Sequence, residues 1–297
     1  LAWGSVAALL LAVTACTYQQ VLTWRNNLAL WGHAAAVTNG NDLAHNQLAL
    51  ALSKMNRWEE ARAHFAEALR INPSSLTAHL NLAAYYEQKG DLSKAEHHFR
   101  RSIHIQSDPP DAEYVCLGKV LMQQGKLAEA DKCFADALKY CPDHLVAIIN
   151  RGVIMQQLGK LAEAEKHFAK AVDHHPARPE GHYNLGSVMA RQGKVQGARK
   201  HLSTALELDP DNAEAHLNLG IISAQEGQLA DAERLLAKAI ELQPNYLEAY
   251  FNMGVLLARA GRMREARPYF ARAESIRSQR RRPARSPQPD ARSPLLQ

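Results

Sequence analysis

The sequence predicts an all-α chain, a solenoid of antiparallel helix pairs, and three observations predict it. A 34-residue period runs through most of the 297 residues, two positions of that period are held to small residues, and glycine and proline recur at two others. A period of that length is one supersecondary unit, and a single helix pair cannot cover its own apolar face, so the copies must stack.

Aligned on a recurrent alanine, seven copies occupy 42–75, 76–110, 111–144, 145–178, 179–212, 213–246 and 247–278, the second being one residue longer. They begin at Asp42, Leu76, Asp111, Leu145, Pro179, Ala213 and Leu247. Position 8 is Gly or Ala (Ala49, Ala83, Gly118, Gly152, Gly186, Gly220, Gly254) and position 20 is always Ala, from Ala61 to Ala266, so two helices can approach closely there. Position 24 is large and apolar (Phe65, Phe99, Phe134, Phe168, Leu202, Leu236, Phe270) and is expected between a pair and its neighbour. Position 15 is Gly in six copies and Asn56 in the first, the residues that tolerate the left-handed turn ending a helix. Position 32 is proline in five copies, which stops the second helix. Ahead of the first copy, 18–41 reads as half a repeat whose helical stretch Leu28 to Val37 caps the stack.

These residues resemble the tetratricopeptide-repeat (TPR) family over about four-fifths of the chain, Asp42 to Ser278. The resemblance implies a right-handed solenoid with a concave groove lined by its first helices. Arg151 at position 7, where Leu is usual, and Pro268 inside the last second helix depart from the pattern.

The ends differ from the body. Residues 1–17 are an apolar run, slightly short of the ~20 residues of a membrane-spanning helix. They read as a truncated transmembrane segment, or as the h-region of a signal peptide whose Val13-Thr14-Ala15-Cys16 resembles a lipoprotein box. Both readings end on a membrane. Only Arg25 is basic between this run and Lys54, which places the repeats on the extracytoplasmic, periplasmic side. The formal charge of +5 is accounted for by Arg277 to Gln297, with six arginines and one aspartate, so the body is neutral and lacks the basic face that nucleic acid requires. Residues 279–297, basic and proline-rich, read as a disordered tail. The order apolar run, Trp24-Arg25-Asn26-Asn27, Leu30-Trp31 and first repeat resembles the junction in bacterial membrane proteins with a glycosyltransferase-like (GT-C) domain followed by C-terminal TPRs. These are related to TPR-containing O-mannosyltransferases, and the resemblance implies that catalytic carboxylates would lie upstream of Leu1.

Within the chain nothing reads as an enzyme. There is no phosphate loop, no nucleophile elbow, no HExxH, and no cofactor motif. Cys116, Cys133 and Cys141 lack metal-binding spacing and read as small buried hydrophobes. Of the 14 histidines, His45, His79, His182 and His216 recur at position 4 and His64, His98, His167 and His201 at position 23, a placement that belongs to packing rather than to a metal site.

One row reads differently. Position 6 is Gln47, then Asn81, Asn150, Asn184, Asn218 and Asn252, with Cys116 as the exception. Positions 2, 6, 9 and 13 form one stripe of the first helix. An amide there can meet the backbone N–H and C=O of an extended peptide whatever its side chains, or it can satisfy neighbouring helix ends. The row resembles the ladder in the TPR arm of O-linked N-acetylglucosamine transferases, which holds substrate chains. Beside it, Leu80, Ile149, Tyr183, Leu217 and Phe251 at position 5 and Gln88, Gln123, Gln157 and Gln225 at position 13 suggest a mixed groove. It lacks the basic set of chaperone-type carboxylate clamps. The expectation is a membrane-tethered scaffold for a polypeptide or partner protein. The alternative is the repeat portion of a membrane glycosyltransferase that presents acceptor polypeptide.

Overall fold

The computed structural model describes residues 27–106 and 110–281, and all regular structure among them is α-helical. A lone helix α1 (Asn27–Val37) precedes seven pairs. The first helices are α2 (Asp42–Lys54), α4 (Leu76–Gln88), α6 (Asp111–Gln123), α8 (Leu145–Gln157), α10 (Pro179–Arg191), α12 (Ala213–Gln225) and α14 (Leu247–Arg259). Their partners are α3 (Trp58–Ile71), α5 (Leu92–Ile105), α7 (Leu127–Tyr140), α9 (Leu161–His174), α11 (Val195–Leu208), α13 (Leu229–Leu242) and α15 (Met263–Arg281). Two compact units share these helices, Leu1–Asn150 and Arg151–Gln297, divided within α8 at the non-consensus Arg151.

The turn inside each pair follows from its glycine. Gly90, Gly125, Gly159, Gly193, Gly227 and Gly261 take φ of 75 to 78°, and Asn56 takes 60°. The next residue then donates its N–H to the carbonyl five residues back, as in Asp91 to Tyr86 and Lys194 to Met189, both 2.9 Å, closing the first helix in a Schellman motif. At the other end Asn41 and Asn212 accept from the N–H groups of Ala44 and Ala215 through their side chains, capping α2 and α12.

Position 20 is fully buried in all seven pairs, and position 27 is buried from Ala68 to Ala273, Ser102 included. A Cβ on Gly152 would lie 2.5 Å from the Phe168 ring, and one on Gly186 2.7 Å from Leu202 Cγ. Position 24 therefore sits over position 8 of its own pair, where the missing Cβ makes a seat for the side chain, and it also shares a core with the following copy, as Phe65 does with Leu82 and Leu202 with Leu219. Position 3 is a buried contact with the preceding copy; a Cβ on Gly181 would meet Val172 and Ala171 at 3.3 and 3.5 Å. Ala44, Ala78, Ala147, Ala215 and Ala249 fill the equivalent place.

In the first unit, Leu28, Trp31 and Ala35 of α1 lie against the core of Leu48, Leu52, Phe65 and Leu82, so the half-repeat helix covers the first pair. In the second, Leu217, Leu236, Met253 and Leu256 form one core and Leu202, Leu219, Ile222 and Leu235 another. Pro268 lies inside α15, past its first turn, and forgoes the N–H bond to the carbonyl four residues back. That helix runs through Arg281, three residues into the expected tail, because Ile276 is buried and no breaker occurs before Pro283. The expected membrane segment 1–17 and the rest of the tail lie outside the described residues. Among those described, no helix is long and apolar enough to cross a membrane.

Candidate functional site

The position-6 amides share one local geometry. Asn81 donates through Nδ2 to Thr77 O (2.8 Å), Asn150 to Val146 O (2.8 Å), Asn184 to Glu180 O (2.7 Å) and Asn252 to Glu248 O (2.7 Å). Each bond reaches one turn back to the carbonyl of position 2 and fixes the amide on its own helix. Oδ1 and the second N–H are left for other partners. Asn218 instead hydrogen-bonds the Tyr183 side chain. All five, and Gln47, are half-buried. In the first unit the row is Gln47, Asn81 and Asn150; in the second it is Asn184, Asn218 and Asn252.

Two cavities adjoin these rows. One of about 420 Å³ lies between α1 and α2, where Leu28, Leu50, Lys54 and Met55 surround Gln47. Another of about 270 Å³ lies beside Asn252, walled by Ile221, Leu236, Val255 and Leu256 with Arg259 at hand. The first is mainly apolar and the second evenly mixed, and each adjoins an amide, a combination suited to one side chain of a peptide held by its backbone.

Position 5 is less uniform than expected. Tyr183 is half-buried, and burial next to Glu214 raises its hydroxyl pKa. Phe251 is 47% exposed, edge-on to Phe270. Leu217 is 6% exposed, packed with Ala249 and Met253, so it belongs to the core and not to the groove. The copy that follows covers it, which periodicity within one helix cannot reveal.

The histidines pair across helices. Nδ1 of His45 lies 3.1 Å from Nδ1 of His64, His79 lies 2.9 Å from His98, and His182 lies 3.1 Å from His201. Pro73 O and Pro176 O, which can only accept, take the Nε2–H of His79 and His182, both at 3.1 Å. Nδ1 of each is therefore the acceptor, and His98 and His201 are the donors. The nitrogens lie between ring centres 5.2 to 5.4 Å apart, so N–H and lone pair face each other instead of converging on an ion. Burial and the neighbouring His79 and His97 depress the pKa of His98 to about 4; His64 and His201 shift the same way. Among the described residues no three His, Cys, Asp or Glu side chains could hold a metal. Burial pushes the Cys133 thiol up to about 11, which makes it unreactive, while Cys116 and Cys141 are half-buried.

The sequence signatures of the family Tetratricopeptide repeat match residues 46–112, 112–177, 149–213, 183–246 and 223–284. The chain is 28% identical over 163 residues to Protein O-mannosyl-transferase Tmtc3 of Drosophila melanogaster, a match covering 50% of this chain and 18% of that protein. The chain thus spans under a fifth of the length of this curated relative. Among solved structures, pilF of Pseudomonas aeruginosa superimposes with a TM-score of 0.60 at 21% identity, covering 70% of this chain and 94% of that one. YrrB, described as a TPR protein with an unusual peptide-binding site, gives 0.54 at 23% identity over 62% of this chain and 95% of its own. At such identities the structural likeness concerns the fold alone.

Proposed function

This chain belongs to the tetratricopeptide-repeat family, and from that premise we propose that it is a scaffold that holds an extended polypeptide along its position-6 amides. The observation that carries the reading is the repeated Asn bond to the position-2 carbonyl. It fixes the same amide in the same pose on helix after helix while sparing an acceptor and a donor for a peptide backbone. The cavities beside Gln47 and Asn252 receive side chains, and the apolar segment 1–17 tethers the scaffold to a membrane with the repeats on the extracytoplasmic side. Chemistry is no part of this role.

The test is the triple variant Asn184→Ala, Asn218→Ala, Asn252→Ala, assayed by fluorescence anisotropy against labelled unstructured peptides of different sequence. Each lost hydrogen bond is worth roughly 0.5–1.5 kcal/mol, so affinity should fall by about one to three decades, similarly for each peptide, with melting nearly unchanged. A variant that melts far lower yet binds like the parent would make the ladder structural.

A second reading is favoured by the likeness to Protein O-mannosyl-transferase Tmtc3. Here the chain is the repeat portion of a longer membrane glycosyltransferase and presents acceptor polypeptide to a catalytic domain elsewhere in that protein. Several spans and an acidic pair encoded upstream of Leu1 would support it. A Met and a short basic stretch directly upstream would leave a lipoprotein scaffold.

A further inference from the structure

In the second unit, charge of opposite sign lies on the two sides of the amide row. Positions 2, 6 and 13 share one stripe of a helix, because steps of four and of seven residues both return to nearly the same face. Position 2 is Glu180, Glu214 and Glu248, all exposed, and position 13 is Arg191, Gln225 and Arg259, exposed as well. Asn252 and Arg259 line one cavity, which places Arg259 on the amide's side of α14. In the first unit position 2 carries no charge (Leu43, Thr77, Ala112, Val146), so a carboxylate there is no requirement of a helix start.

Most of these charges are unanswered. Arg178 pairs with Glu180 at 3.0 Å, whereas Glu214, Glu248, Arg191 and Arg259 make no ion pair among the described residues. They cannot meet within one helix, since positions 2 and 13 lie about 16 Å apart along its axis. A chain lying across the helices on the amide row can meet both edges. Position 2 is about 6 Å from the amide and position 13 about 10 Å, and the farther edge carries the longer side chain. The first helices α10, α12 and α14 touch in succession, which sets them about 8–10 Å apart. Three residues of polyproline-II backbone advance about 9 Å and complete one turn, so side chains three apart leave on the same side, and the backbone keeps its N–H and C=O groups free for the amides.

We infer that the second unit selects an extended polypeptide whose charges recur every third residue, a basic side chain toward Glu214 and Glu248 and an acidic one toward Arg191 and Arg259. This rests on the groove holding a peptide by its backbone, as proposed above, and names the peptide. An uncharged segment reaches the amides alone, and a segment with its charges in blocks satisfies one edge at a time.

Three labelled peptides of equal length, titrated into the full chain at low salt and read by fluorescence anisotropy, test it. One is three repeats of Lys-Pro-Glu, the second has the same composition with its lysines, prolines and glutamates in blocks, and the third is three repeats of Ser-Pro-Gln. The periodic charged peptide should bind about three- to tenfold more tightly than either of the others, the range that a few exposed ion pairs supply. Salt at about 0.5 M should erase that advantage. The double variant Glu214→Gln, Glu248→Gln, which keeps side-chain shape at exposed positions, should bring the ratio of periodic to block affinity down to about one. Arg191→Gln with Arg259→Gln should lower the same ratio. Equal binding of the periodic and block peptides by the parent, or an advantage that survives both double variants, overturns the inference, while binding of the uncharged peptide leaves the peptide-holding groove in place. Binding of none of the three removes the groove as a peptide site and this inference with it.

Discussion

At the scale of single residues, two kinds of small residue do different work, and substitution separates them. Ala198 is fully buried in α11, and a Cβ on Gly186 of α10 would lie 3.1 Å from its carbonyl oxygen. Ala198→Leu should overpack this contact and cost about 1–3 kcal/mol, read as a lower melting temperature of the chain. No loss would mean that the helices separate freely there. Gly193 has nothing within 4 Å of where a Cβ would lie, but its φ is +76°. Gly193→Ala should therefore cost only the left-handed backbone penalty, about 1–2 kcal/mol, with the spectrum of packed side chains undisturbed. A loss much greater than this in the denaturation midpoint would point to a contact instead of a dihedral. The turn glycines and the alanines of position 20 were legible in the sequence because each acts within its own pair. Leu217 was not, because the partner that buries it lies 32 residues on, at Ala249, and in a different helix. The same holds for the pose of the asparagines: their type and spacing are in the sequence, whereas the bond that spends one N–H on the helix is visible only in three dimensions.

At the scale of the helix pair, the histidine contacts make stability depend on pH. Folded, His98 stays neutral down to about 4, while the unfolded ring takes a proton near its ordinary value of 6.5. Between these values the unfolded state binds more protons. The stability that this pair contributes is thus complete above about 6.5 and is lost progressively as pH falls toward about 4. His79 and His97 face the ring and oppose its charge, Arg101 acts in the same sense on His79, and Tyr86 stacks on the His98 ring. Because the ring is partly exposed, the full shift is discounted to about 1–2 kcal/mol. Melts of His98→Gln, which keeps an N–H but cannot titrate, should fall less steeply over this range than those of the parent. Parallel curves would exclude the pair as the source. Histidine recurrence identified these positions as packing, but the direction of each hydrogen bond depends on a proline carbonyl, and only the turn geometry supplies it.

At the scale of the whole molecule, the proposed holding of peptide backbone by a row of neutral amides on a neutral body implies recognition that salt hardly touches. Screening weakens contacts between charges and leaves neutral hydrogen bonds and apolar burial nearly unaffected. The affinity for an uncharged peptide should change by less than about threefold between low and physiological ionic strength, measured by the same anisotropy assay. A steep dependence would instead give the main role to Glu180, Glu214 and Glu248 on position 2, or to Arg191 and Arg259 on position 13. The uniformity of the copies has a consequence of another kind. Every first helix has 13 residues and six of the seven second helices have 14, each pair closed by the same turn and seated by the same small residues. A gene encoding such a chain can gain or lose material in steps of one copy, since copies of equal length and common pattern are interchangeable units. The residues brought together at the new junction then meet partners of the kind they left, so the length of the scaffold is open to inheritance in a way that its cross-section is not.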